Sequence, residues 1–190
     1  MFNGKPIKNE PHFRTRPDFI PKYHKYSSGA FNLFASKSML QKMIAHAVKG
    51  NRCEIIGTLI GRPFYDTKGY YSILTNSALA PFADGTYGTV TTTFKDEQFF
   101  KWVQEAYHPT EDILGWYHSH PMNLEGYSSV DRGNQSKWIE PYQIGLLVVC
   151  NYMQNKFTVM AYRGPESELL LPSYSVYKGG PEIEQMTEAA

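Results

Sequence analysis

The stretch C-E-I-I-G-T-L-I-G, residues 53 to 61, constrains the fold more than any other part of the chain. Side chains alternate between the two faces of a strand, and here Ile55, Ile56, Leu59 and Ile60 make both faces apolar. Such a strand needs packed layers above and below it. Other runs rich in β-formers are Tyr70 to Ala80, Asp112 to His118, Gln143 to Asn151, Lys156 to Arg163 and Leu169 to Ser175, with a short one around Phe31 to Ala35. Residues 143 to 151 and 156 to 163 are joined by a short polar connection and read as a hairpin. Met39, Leu40, Met43, Ile44 and Ala47 recur at helical spacing, with Ser36 or Ser38 as the cap and Gly50 as the stop. A second helix fits Lys95 to Tyr107, through Phe99, Phe100, Trp102, Val103 and Ala106, and a third fits Ser129 to Ile139. Helices interspersed among mixed strands predict an α/β layered domain, one mixed, twisted sheet flanked by helices.

A chain of 190 residues, 42% of them apolar, can bury one sizeable core. Residues 1 to 28 carry Pro6, Pro11, Pro17 and Pro21 among basic side chains and show no periodicity, so they read as an extended arm. The globular domain is expected over 29–177 and a flexible tail over 178–190. Acids and bases nearly balance at a net charge of +1, which excludes a nucleic-acid binder held by bulk positive potential. The N-terminus has no signal-peptide apolar region, and no run approaches the roughly 18 apolar residues of a membrane span. Cys53 and Cys150, both inside apolar runs, read as core residues of a protein from a reducing compartment. A cytoplasmic protein that needs no membrane is the resulting expectation.

Chemistry concentrates in G-W-Y-H-S-H-P, residues 115 to 121. Residues i and i+2 of a strand share a face, so His118 and His120 can aim two imidazoles at one point. Pro121 ends the strand pairing just beyond them. After seven intervening residues come Ser128 and, in S-S-V-D, Asp131. Taken alone, S-S-V-D is a capping box; taken with the histidines, it directs Asp131 back toward the strand end to complete a His-His-Asp set. Tight zinc binding wants three protein ligands, with a further position left for water when the metal is catalytic. Glu54 is an acid in an apolar strand, where an unpaired carboxylate costs several kcal/mol. It either faces solvent at a frayed strand start or has a partner such as a cation or a held water.

Taken together, E-I-I-G-T-L-I-G, G-W-Y-H-S-H-P and S-S-V-D resemble the JAMM (MPN+) zinc metalloproteases, whose best-known members are deubiquitinating isopeptidases. The resemblance spans roughly residues 30 to 165. It implies a three-layer MPN fold of the cytidine-deaminase-like type. It further implies one catalytic Zn2+ on His118, His120 and Asp131 with a bound water, Glu54 as general base, and the Ser128 hydroxyl beside the developing oxyanion. The implied substrate is ubiquitin or a ubiquitin-like modifier on a conjugate or precursor, with a protein of modifier conjugation as a further partner. Relatives of this kind grip an extended tail as an added strand. The corresponding segment here is F-A-D-G-T-Y-G-T-V-T-T-T-F, residues 82 to 94, read either as a hairpin that orders on binding or as a plain loop. Thr86, Tyr87, Gly88, Thr89 and Val90, with Met122 and Tyr127 from the stretch between the ligands, are the candidate substrate contacts. Two alternatives stay open: hydrolysis of other amide bonds, such as sulfur-carrier adducts or cell-wall peptides, and a scaffold with vestigial zinc.

Overall fold

The computed structural model describes residues 12–13, 32–67, 69–170, 175–177 and 183–185. In chain order the elements are β1 (His12–Phe13), β2 (Asn32–Ser36), α1 (Lys37–Lys49), β3 (Ile56–Asp66), β4 (Gly69–Leu79), β5 (Asp84–Gly85), β6 (Val90–Thr91), α2 (Phe94–Tyr107), β7 (Asp112–His120), α3 (Ser129–Gln135), β8 (Ile144–Asn151), β9 (Lys156–Arg163), β10 (Glu168–Leu169), β11 (Ser175–Tyr177) and β12 (Ile183–Gln185). One mixed sheet runs β10-β9-β8-β7-β3-β4-β2-β11-β12, with β1 paired to the far end of β3. The doubly apolar stretch supplies the first half of β3, which lies between β4 and β7 in the interior of the sheet.

Two apolar layers sandwich the sheet. On one face Met39, Leu40, Met43 and Ala47 of α1 pack on Leu59, Leu74, Leu146 and Val148. On the other, Phe100 of α2 joins Ile56, Trp116, Trp138, Leu147 and Val149. The three-layer α/β expectation therefore holds. Ser36 caps α1 by accepting from the Met39 N–H, and Gly50 closes it through the His46 and Val48 carbonyls. Thr93 and Asp96 form a capping box at α2. No helix among the described residues is long and apolar enough to cross a membrane.

Several boundaries differ from the sequence expectation. β3 begins at Ile56 and not at Cys53, because Asn51 and Arg52 take positive φ of 47° and 71° and turn the chain before pairing begins. Cys53 is consequently exposed, which corrects its reading as a core residue; Cys150 is buried, and both thiols are free. α3 stops at Gln135, four residues early. The Trp138 N–H turns back to the Gln135 carbonyl at 2.9 Å and drives the indole into the core, while Pro141 bars helix at Glu140. The run Leu169 to Ser175 is not one strand: β10 and β11 are separate, and residues 171–174 between them lie outside the described residues. The expected arm and tail also lie outside them, apart from His12–Phe13 and Ile183–Gln185.

Candidate metal centre

Strand alternation does at β7 what the H-x-H spacing requires. Trp116, His118 and His120 share one face of the strand, which pairs antiparallel with β3 and parallel with β8. His118 and His120 are both buried, and their Nε2 atoms stand 3.2 Å apart. Asp131 comes from the first turn of α3. Its Oδ1 lies 3.1 Å from His118 Nε2 and its Oδ2 3.4 Å from His120 Nε2. The capping box is formed as well: Ser128 Oγ accepts from the Asp131 N–H at 3.2 Å, and Asp131 Oδ2 accepts from the Ser128 N–H at 2.7 Å. The cap and the third member of the cluster are thus one side chain, so the two sequence readings of S-S-V-D are compatible.

The donor set suits zinc in type, and a ligand atom from each of the three residues lies within 4.8 Å of the other two. A metal-binding histidine commonly uses its other ring nitrogen in a supporting hydrogen bond. His120 Nδ1 has such a partner in the Leu124 carbonyl, 2.9 Å away, so in the neutral ring Nε2 would be the nitrogen offered to a metal. His118 is braced differently: its ring stacks on Trp116 at 4.7 Å and packs against Tyr127 at 5.6 Å, and its Nδ1 is buried without a partner. Among the described residues no other His, Cys, Asp and Glu side chains converge in this way.

Charge and burial act strongly here. Burial works against the Asp131 carboxylate, yet the hydrogen bonds of His118, His120 and Ser128 outweigh it and hold this carboxyl well below the usual range. Burial lowers the pKa of His118. Burial opposes the charged form of His120 too, but Asp131, the Leu124 carbonyl and Glu54 reverse the balance and raise its pKa. Glu54 lies just ahead of β3, half-buried. Burial pushes its carboxyl up to about 7, with His120 pulling it down and Asp131 adding to the rise. An acid poised near neutrality and sensing both His120 and Asp131 is suited to exchanging protons there.

The segment 82–94 is a hairpin already in the free chain. β5 pairs antiparallel with β6, and the Thr86 N–H bonds the Thr89 carbonyl at 2.7 Å across the tip. The hairpin is attached to Glu54, whose N–H donates to the Thr86 carbonyl at 2.7 Å. Gly85 makes this approach possible, since a Cβ there would fall 2.2 Å from the Glu54 carbonyl oxygen. The candidate contact residues divide between two clefts. Val90 lines a groove of about 220 Å³ with Ile56, Trp116, Val130, Asn134 and Trp138. Tyr87 and Met122 line a second cleft of about 410 Å³ with Arg52, Asn123 and Tyr152. Tyr127 is only 6% exposed and packs between His118 and Tyr162, on which it stacks, instead of on a rim. Thr86, Gly88 and Thr89 form the exposed hairpin tip.

Sequence reasoning missed the supports. Trp116 was findable, because it precedes His118 by two positions and so shares its face. The Leu124 carbonyl has no side-chain signature, and the groove wall from Val130, Asn134 and Trp138 depends on where α3 ends.

A family profile described as JAB1/Mov34/MPN/PAD-1 ubiquitin protease matches residues 33–138, a span that contains Glu54, His118, His120, Ser128 and Asp131. COP9 signalosome complex subunit 5 of Dictyostelium discoideum is 29% identical over 154 residues, which cover 78% of this chain and 40% of that protein. The subunit of the same name from Kluyveromyces lactis is 31% identical over 114 residues, 56% of this chain and 28% of that protein. The chain therefore spans 40% or less of the length of these relatives. The solution structure of protein DSY2949 from Desulfitobacterium hafniense matches with a TM-score of 0.54 at 16% identity, covering 77% of this chain and 93% of that one, a likeness of fold.

Proposed function

The chain belongs to the JAB1/Mov34/MPN/PAD-1 family and has its α/β fold, and from that premise we propose that it is a zinc-dependent isopeptidase acting on ubiquitin or a ubiquitin-like modifier. The observation that carries this reading is the convergence of His118, His120 and Asp131 beside a carboxyl, Glu54, held near neutrality. His118, His120 and Asp131 would hold the metal. Zinc, when bound, supplies Lewis acidity, polarising a substrate carbonyl and acidifying a water.

The remaining work falls to the chain. Glu54 takes a proton from the attacking water at its carboxylate and returns it to the departing lysine amine. Ser128 Oγ already accepts from the Asp131 N–H, so its own proton is available to the developing oxyanion. The groove between β6 and α3 receives the modifier tail. Among the described residues β6 pairs only with β5, so its other edge can add a strand, while Trp116 and Ile56 form an apolar floor. Tyr87 and Met122, in the cleft on the other side, face the leaving-group partner. The free thiols of Cys53 and Cys150 are compatible with a cytoplasmic location.

The test is incubation of the purified protein with a Gly-Gly-lysine isopeptide, with and without a chelator. Cleavage that stops on chelation and returns with zinc supports the reading. Zinc binding without any cleavage would point to a scaffold, and cleavage confined to other amides would point to a different hydrolase.

A further inference from the structure

The residue between the two histidines has a hydrogen bond that regular strand pairing does not supply. Ile55 stands opposite Ser119 where β3 and β7 meet, one step beyond the Ile56–His118 pair. In an antiparallel ladder every second opposed pair exchanges two backbone bonds, so a pair that makes one ordinarily makes the other. One is present, from the Ser119 N–H to the Ile55 carbonyl at 3.0 Å. In the other direction the Ile55 N–H donates to the Ser119 hydroxyl at 3.1 Å instead of the Ser119 carbonyl. Ser119 is fully buried, with 0% exposure.

This exchange of a carbonyl for a hydroxyl changes the path of the next residue. With its N–H on a side chain, Ile55 peels away from β7, and Glu54 leaves the ladder to bond the hairpin through Thr86. Glu54 is thereby held through the peptides on both its sides: its own N–H bonds the Thr86 carbonyl of the hairpin, the following N–H, of Ile55, bonds Ser119, and its carbonyl lies against Gly85, where no Cβ fits. Ser119 Oγ is therefore placed to set where the Glu54 carboxyl stands relative to His118 and His120, although alternation turns the Ser119 side chain away from them.

We infer that Ser119 is a positioning residue, whose hydroxyl aims Glu54 at the reacting centre by accepting the Ile55 N–H. The inference rests on the proposed function for its kinetic consequence, but not for its structural one. Misplacing a catalytic group by about 1 Å can cost on the order of 100-fold in rate.

The test compares Ser119→Ala, Ser119→Cys and Ser119→Thr with the parent protein. Alanine removes the acceptor, cysteine keeps the shape with a poor acceptor, and threonine keeps the hydroxyl. Alanine and cysteine should leave zinc stoichiometry and the unfolding transition near parental values and speed amide hydrogen exchange at Ile55 by about tenfold or more. They should lower kcat by about 100-fold with KM unchanged. Threonine should restore both slow exchange and kcat. Parental Ile55 exchange in the alanine variant, full kcat in the cysteine variant, a threonine variant as impaired as alanine, or loss of zinc would each overturn the assignment. If the parent protein cleaves no isopeptide, the proposed function fails alone, and Ile55 exchange across the series still decides whether Ser119 holds this peptide.

Discussion

Asp131 meets two demands with one carboxylate, capping α3 through Oδ2 and facing both imidazoles. Its replacement by alanine should therefore abolish zinc binding, read by elemental analysis; unchanged stoichiometry would return Asp131 to capping alone. Ser128→Ala separates the roles from the other side. Loss of the cap should cost about 1 kcal/mol in denaturant unfolding whether or not Ser128 acts in the reaction, and a kcat loss beyond that would mark the second role. Glu54→Gln should keep zinc and lose turnover. A linkage measurement examines the same carboxyl without substrate. In protein stripped by chelator, folded Glu54 keeps its proton up to about 7, whereas the unfolded chain releases it near the ordinary value of 4.5. Between these values the folded state binds more protons, so Glu54 lowers stability as pH rises. The stability of Glu54→Gln relative to the parent should accordingly increase across that window, and a pH-independent difference would mean an unperturbed carboxyl.

At the scale of elements, the site depends on how three segments close on the end of β7. Gly145 of β8 lies under α3, and a Cβ there would fall 2.0 Å from the Tyr127 hydroxyl and 2.3 Å from Gln135 Oε1. Gln135 accepts from the Trp116 indole at 2.8 Å, and Trp116 stacks on His118. Gly145→Ala should lower unfolding free energy by about 1–3 kcal/mol, as overpacking does, and weaken zinc in a competition titration. Wild-type zinc affinity in that variant would show that the Tyr127–Gln135 layer does not brace the histidines. The H-x-H spacing and S-S-V-D were legible because each obeys a local period, two for the strand and a cap offset of three for the helix. The end of α3 was not, because no Gly or Pro stands at Ser136 to mark it: Pro141 lies five residues further on, and the burial of Trp138 is a tertiary contact. The hairpin was half-legible: β-formers around Gly85 and Gly88 allow it, but its attachment to Glu54 and the packing of Ala83 and Val90 on the core are tertiary contacts.

For the whole molecule, β3 is the member on which both layers and the site depend. β4 flanks it along its length and β7 near the histidines, and β1 adds at Phe64 and Tyr65, beyond the reach of β7. Deleting residues 1 to 28 removes β1. Zinc stoichiometry should survive, with thermal unfolding lowered by roughly 2–4 °C for each kcal/mol that β1 contributes; loss of metal would make this segment part of the site's support. By itself the sequence determined the layered α/β class, the interior strand and the identity of the His-His-Asp set, because hydrophobic period, caps and ligand spacing are local and repeat along the chain. Tertiary structure alone decided that Cys53 is exposed, that Tyr127 is buried against His118 and that the contact residues divide between two clefts. It also decided that Glu54 is held by Thr86 and its neighbour Ile55 by Ser119. Each of these depends on which backbone atoms from distant segments meet, and no residue type announces such a meeting.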